Sequence, residues 1–217
     1  MNILIMGPAG AGKGTMSERI VEEFGIPHIS SGDMFRAEIS EQTELGQIAQ
    51  AYINQGHLVP DEVTIEMVKR RLTKDDCKKG YLLDGFPRTL AQAEALEKMT
   101  REVGIPLQAI ICLEVEFDEL AKRITGRRIC KHCNEIYNVY FKPSSAEGIC
   151  DVCGNELFQR SDDTVERLKV RLQEYEKQTV PVLEYFKNAG LAKKINAGQP
   201  IDQVWNEVKK ALEEIND

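Results

Sequence analysis

The nine residues Gly7–Thr15, GPAGAGKGT, restrict the fold of this chain more than any other stretch. They follow a short apolar run, NILIM, and open a segment with helical periodicity, which is the strand–loop–helix setting of a phosphate-binding loop. Glycines in such a loop let the backbone close around phosphate oxygens with several N–H groups turned inward. The helix N-terminus behind them adds favourable partial charge. Lys13 supplies a point charge for the outer phosphates, while the hydroxyl expected directly after the lysine is displaced by one, because Gly14 precedes Thr15. A glycine-rich turn that only capped a helix would not need strand, spacing, lysine and helix together.

A loop of this kind sits in a parallel α/β sheet, and the rest of the chain keeps that rhythm. Strands are predicted at Asn2–Met6, Tyr81–Asp84, Leu107–Leu113 and Ala192–Ile195, with a weaker signal at Pro27–Ser30. Helices are predicted at Gly14–Phe24, Asp61–Leu72 with Asp61 as its cap, Thr89–Val103, Phe117–Gly126, Thr164–Lys187 and Ile201–Ile215. Two regions break the alternation. Residues 31–59 read as short helices joined at Gly32, Gly46 and Gly56, and residues 127–160 hold turn formers, aromatics and paired cysteines. The expected division is therefore a core of 1–30, 60–126 and 161–217, a helical subdomain at 31–59 and an inserted module at 127–160.

Among phosphate-loop proteins a GTPase needs an NKxD segment, and none occurs. A hydrolytic ATPase needs a positioned attacking water and often a partner-driven machine domain, which this short chain does not advertise. Kinase chemistry fits better: the strand YLLD ends in Asp84, a carboxylate suited to the magnesium shell, and runs into GFPR, where Gly85 permits close approach and Arg88 can grip phosphate bidentately. The net charge of −7 opposes nonspecific attraction to nucleic acid or an anionic membrane, so a polyanionic ligand must meet a local basic cluster. The opening residues lack a basic segment and a small-residue cleavage site, and no apolar run approaches a membrane span, so a cytoplasmic, soluble protein is expected.

Cys130-x-x-Cys133 and Cys150-x-x-Cys153 stand sixteen residues apart, within the range for one tetrahedral, structural Zn²⁺ bound by four thiolates. Disulfides or free thiols are the other readings. Such a knuckle could also bind nucleic acid, with Tyr137, Tyr140 and Phe141 as a stacking surface. Five basic residues against four acidic ones between Arg127 and Arg160 argue against that.

GPAGAGKGT, SSGDMFR (Ser30–Arg36), GHLVPDE (Gly56–Glu62), LLDGFPRTLAQA (Leu82–Ala93) and GRR (Gly126–Arg128) occur in an order that resembles the adenylate kinase family, in the long bacterial form with a zinc-containing lid. The resemblance implies a monomeric enzyme of adenine nucleotide homeostasis with ATP, AMP and ADP as its partners, no nucleic acid and no membrane. It would transfer a phosphoryl group reversibly, ATP + AMP = 2 ADP, with Mg²⁺ accompanying ATP and residues 31–59 forming the AMP-binding subdomain. It assigns ATP to Gly10, Ala11, Gly12, Lys13, Gly14, Thr15, Arg123, Arg127, Ile136, Tyr137 and Gln199. AMP falls to Ser31, Arg36, His57, Leu58, Val59, Gly85, Phe86, Pro87, Arg88, Gln92, Arg160 and Arg171. Lys13, Arg88, Arg127, Arg160 and Arg171 would be catalytic, because an AMP phosphate oxygen is already anionic and the task is to offset charge rather than to remove a proton. Ser31 departs from a commoner threonine and Ala9 from a frequent proline. The alternatives are a phosphate-loop kinase for another nucleoside monophosphate and a zinc-ribbon nucleic-acid-binding ATPase.

Overall fold

A computed structural model describes residues 1–215. The chain opens with β1 (Asn2–Met6), the phosphate loop, α1 (Lys13–Phe24) and β2 (His28–Ser30). Helices α2 (Ser31–Ser40) and α3 (Glu44–Ile53) follow, then α4 (Asp61–Leu72), a 3₁₀ turn at Asp75–Lys79, β3 (Tyr81–Asp84), α5 (Leu90–Glu102), β4 (Ala109–Glu114) and α6 (Phe117–Thr125). A small sheet of β5 (Arg127–Cys130), β6 (Ile136–Asn138) and β7 (Leu157–Phe158) precedes α7 (Val165–Glu174), α8 (Val180–Asn188), β8 (Ala192–Asn196) and α9 (Ile201–Glu213). Among the described residues no helix is long and apolar enough to cross a membrane.

The main sheet runs β2-β3-β1-β4-β8 with every pair parallel, so β1 lies at its centre and the phosphate loop leaves from its carboxyl end. That is where open α/β sheets bind ligands. Alternate residues of each strand serve opposite faces. Ile3, Ile5, Leu82 and Ile111 pack with Met16 and Ile20 of α1 and Val208 and Leu212 of α9. Leu4, Leu83 and Ile110 pack on the other face with Val68, Leu96, Val182 and Phe186. The sheet's edges differ in kind: β2 is only three residues long, whereas β8 carries Lys193 and Lys194.

Several expectations need correction. Asp61 does not cap α4; it is the first helical residue after Pro60, and its carboxylate accepts from Thr89 Oγ1 (2.8 Å) and Gln92 Nε2 (2.7 Å), tying α4 to the start of α5. The helix expected over Thr164–Lys187 is interrupted by a π-helical turn at Tyr175–Thr179. Pro181 has no N–H to donate to the preceding turn, so the ladder must change register there. In 31–59, Gly32 and Gly46 lie inside α2 and α3 rather than between them. Gly46 is needed for close helix crossing: a Cβ there would stand 2.1 Å from the Glu38 carbonyl oxygen.

The small sheet is antiparallel, in order β6-β5-β7, and its buried centre is Cys130, Tyr137 and Cys150 with Cys153 and Leu157 beside them. Residues 127–160 thus form a flap with a core far smaller than those on the main sheet.

Candidate active site

Helix α1 begins after Gly12 without any side-chain cap, leaving first-turn N–H groups for an anion at the loop. Lys13 Nζ folds back onto the loop, donating to the carbonyls of Gly7 (2.9 Å) and Pro8 (3.0 Å). Burial pushes its pKa down to about 8; Asp84 opposes this, and Arg88, Arg171 and Arg127 add to it. Asp84 closes β3 beside it. Burial favours the neutral acid there, but His28, Lys13 and Arg88 together hold the carboxyl below its usual range. His28 Nε2 stands 3.7 Å from Asp84 Oδ2, a neighbour that the sequence reading left without a role.

The residues expected on the monophosphate side gather around one carbonyl. Gly85 O accepts from Ser31 Oγ (2.8 Å) and from Arg88 Nε (2.8 Å). Gly85 has φ +77°, and a Cβ on it would meet Ser31 Oγ at 2.7 Å and Arg88 Nη2 at 3.0 Å, so only glycine serves. Gln92 is buried, with Oε1 accepting from Arg88 N (2.7 Å) and Nε2 committed to Asp61. Ser31, Arg36, His57, Leu58, Val59 and Gln92 all line one cavity of about 80 Å³, with Gly85, Arg88, Asp162 and Arg171 among the other residues of its wall. That volume falls below the roughly 300 Å³ of ordinary small-ligand sites. Phe86 lies in the core at 1% exposure, which leaves it only its backbone to offer.

Three aspartates organise the arginines. Asp163, 1% exposed, takes Arg127 in a bidentate pair through Nε (2.8 Å) and Nη2, and Asp162 accepts from Arg171 Nη1 (2.9 Å). Asp33 pairs with Arg36 and faces Arg160 at 3.9 Å. Burial, opposed by Asp84 and reinforced by Arg171 and Arg36, pushes Arg88 down to about 10; burial with Arg36 and Arg127 pushes Arg160 to about 9. Arg160 Nε is buried without any hydrogen-bond partner, a donor left free for an anion. None of the three aspartates was given a role from the sequence, although Asp33 lies within SSGDMFR. The adjacent Asp162 and Asp163, between Arg160 and the capping Thr164 of α7, were the available signal.

The remaining residues expected on the ATP side are placed unevenly. Arg123 donates to Ala11 O (3.4 Å) and Ala197 O (2.7 Å), joining the loop to the turn after β8. Ile136 reaches the loop, its Cδ1 lying 3.4 Å from where a Cβ on Gly14 would stand. Tyr137 instead turns into the flap: it is 3% exposed, and its hydroxyl accepts from Asp151 N (2.8 Å) beside Cys150 Sγ. Gln199 spends its amide on Glu207 (2.8 Å).

The four flap cysteines carry no disulfide, and their sulfurs all lie within 4.8 Å of one another. Neighbouring pairs stand at 3.3 and 3.5 Å. A tetrahedral ion with bonds of about 2.3 Å would hold sulfurs about 3.8 Å apart, so these pairs need to spread by only about 0.3–0.5 Å around one metal. Backbone and side-chain donors on Asn155 draw the Cys153 thiol down to about 5, while at Cys133 the backbone hydrogen bond at Glu135 is outweighed by burial and the neighbouring thiols, which push it up to about 12.

A family model described as adenylate kinase matches residues 5–191. The chain belongs to the adenylate kinase family. It is 53% identical to an adenylate kinase of Carboxydothermus hydrogenoformans, over 98% of this chain and 100% of the relative. An adenylate kinase of Bacillus subtilis is likewise 53% identical, over 98% of each chain, and one of Bacillus pumilus is 49% identical over 100% of each. As a member of the adenylate kinase family the chain is a nucleoside monophosphate kinase, a phosphotransferase. Membership favours neither a kinase for another monophosphate nor a nucleic-acid-binding ATPase.

Proposed function

We propose that this chain transfers the terminal phosphoryl group of ATP to AMP, reversibly, giving two ADP. The observation that carries the reading is the gathering of Lys13, Arg36, Arg88, Arg127, Arg160 and Arg171 into a site where burial and the neighbouring arginines push down the pKa of Lys13, Arg88, Arg160 and Arg171. Such an arrangement is costly when empty and favourable only around a polyanion. ATP phosphates would lie on the loop from Gly10 to Thr15, under Lys13, Arg123 and Arg127. AMP would enter the cavity bounded by Ser31, His57, Leu58, Val59 and Gln92, its phosphate meeting Arg36 and Arg88. Binding the two nucleotides draws the arginines away from Asp33, Asp162 and Asp163, which then return them to the same geometry after product leaves.

The attacking oxygen needs no base, so the residues act by alignment and by offsetting charge. Lys13, Arg88, Arg127, Arg160 and Arg171 stabilise the charge that spreads over the transferred group. Asp84, held ionised, and Thr15 are the residues that would hold Mg²⁺, which partly neutralises the ATP phosphates when bound. The four cysteines would hold one structural Zn²⁺; with four protein ligands it has no open position, so catalysis does not pass through it.

The test is a coupled ADP-formation assay with AMP, GMP, CMP and UMP as acceptors. AMP should be strongly preferred. Equal turnover of all four, or ATP hydrolysis without an acceptor, would overturn the reading.

A further inference from the structure

A second cavity, of about 320 Å³, opens between α8 and the β4–β8 edge of the sheet and shares no lining residue with the AMP-side cavity. Its volume falls within the range of small-molecule sites. Leu113, Val115, Val180, Leu183 and Ala192 give it a mostly apolar wall. Two of its lining residues carry polar groups, Cys112 a thiol and Tyr175 a hydroxyl, and burial pushes the Cys112 thiol up to about 12 and Tyr175 upward.

The charges at the mouth cancel in pairs. Lys194 meets Glu114 at 2.6 Å and Lys187 meets Glu184 at 3.8 Å. A ligand carrying net charge would find no free counter-ion there and would lose its hydration on entry. An uncharged molecule with one hydrogen-bonding group fits both the wall and the rim.

The cavity touches two segments that serve the active site. Pro8 lines it, and the carbonyl of Pro8 accepts from Lys13 Nζ. Tyr175 lines it from the π-helical turn, directly after the helix that carries Arg171. We infer that this cavity is a second ligand site, for a small uncharged aromatic or alkyl molecule, and that its occupancy braces the phosphate loop through Pro8 and tightens ATP binding. The inference concerns a different site from the one assigned to the nucleotides, and its binding test needs no turnover.

Indole serves as the probe, being neutral, apolar and the bearer of one N–H donor. Titration followed by methyl and amide NMR should place the shifts on Val180, Leu183 and Gly7. Benzoate and benzylammonium should bind at least ten-fold more weakly. Saturating indole should tighten ATP binding about three-fold with AMP absent, and saturating ATP should tighten indole by the same factor, since coupling is reciprocal. Val180→Trp and the more conservative Leu183→Phe should fill the cavity and weaken indole at least ten-fold while ADP formation persists. The inference fails if indole shifts centre elsewhere, if the charged probes bind as well, if ATP affinity does not respond, or if a filled variant with a parental melting curve binds indole as before.

Discussion

Beneath Lys13 lie strands whose side chains Ile3, Leu4, Ile5 and Leu83 are at most 1% exposed, and that support lets the loop above them hold Lys13 buried near arginines that repel it. In the flap from 127 to 160 the buried apolar set is only Ile129, Cys130, Tyr137 and Cys150, two of which are proposed metal ligands. Nearby, Val139, Tyr140, Phe141, Ile149 and Val152 remain exposed. The contrast separates two ways of fixing a functional element. Around the phosphate loop a large apolar core supplies the rigidity and the polar groups are free to be arranged for chemistry. In the flap the polar groups themselves must supply the rigidity, because too little apolar surface is buried to offset chain entropy.

The strongest way to break this contrast is to remove the proposed metal. Structural zinc contributes on the order of 10 kcal/mol to folding small thiolate modules, so chelation should unfold the flap. Hydrogen exchange should then speed up over Cys130–Asn138 and stay unchanged in β1, β3 and β4. A flap still protected after complete metal loss would show that its own packing suffices. Cys130→Ser should move in the same direction, with ADP formation surviving at reduced temperature.

Next in size is Lys13→Ala, expected to lower kcat by about 10²–10³ if the ammonium acts as one preorganised electrostatic donor. The melting midpoint should hold or rise, because a buried cation is being removed from among arginines. A large fall in stability with little change in kcat would reverse the division between support and chemistry.

A smaller effect follows from pH. Lys13 titrates near 8 in the free protein, below its unfolded value of about 10.4. Its charge therefore opposes folding fully below pH 8, and that cost is relieved as pH rises from 8 towards 10.4. ATP phosphates favour the ammonium, so ATP affinity should be level below pH 8 and weaken above it by up to about ten-fold per unit. Calorimetric titration across pH 6.5–9.5 checks this, and Lys13→Arg should abolish the break. Smallest is Val152→Ser in the flap: at 68% exposure it should change stability by no more than about 0.5 kcal/mol.

Legibility in the sequence followed the same division. The β1–loop–α1 unit and β3 were readable because a buried parallel strand must be an unbroken apolar run and the loop's glycines have few other uses. The cysteine spacing was readable for a similar reason. The aspartates were not, because a carboxylate such as Asp163 is indistinguishable in sequence from a solvated one until Arg127 is folded onto it. Tyr137 was assigned to ATP by resemblance, but strand alternation turns its ring towards the cysteines while Ile136 faces the loop. The break at Tyr175 was hidden because apolar periodicity tolerates one extra residue per turn, and only Pro181 hinted at it.

The two edges of the main sheet also bear on how the chain behaves among copies of itself. An exposed strand edge is a template on which another chain can pair and aggregate. Here β2 is too short to offer more than a few ladder bonds, and β8 places Lys193 and Lys194, paired with Glu214 and Glu114, on consecutive positions, so that either face of an incoming strand meets a charged pair it would have to desolvate. A second molecule therefore finds no edge along which the sheet can grow, and refolding at high concentration should give little β-rich precipitate.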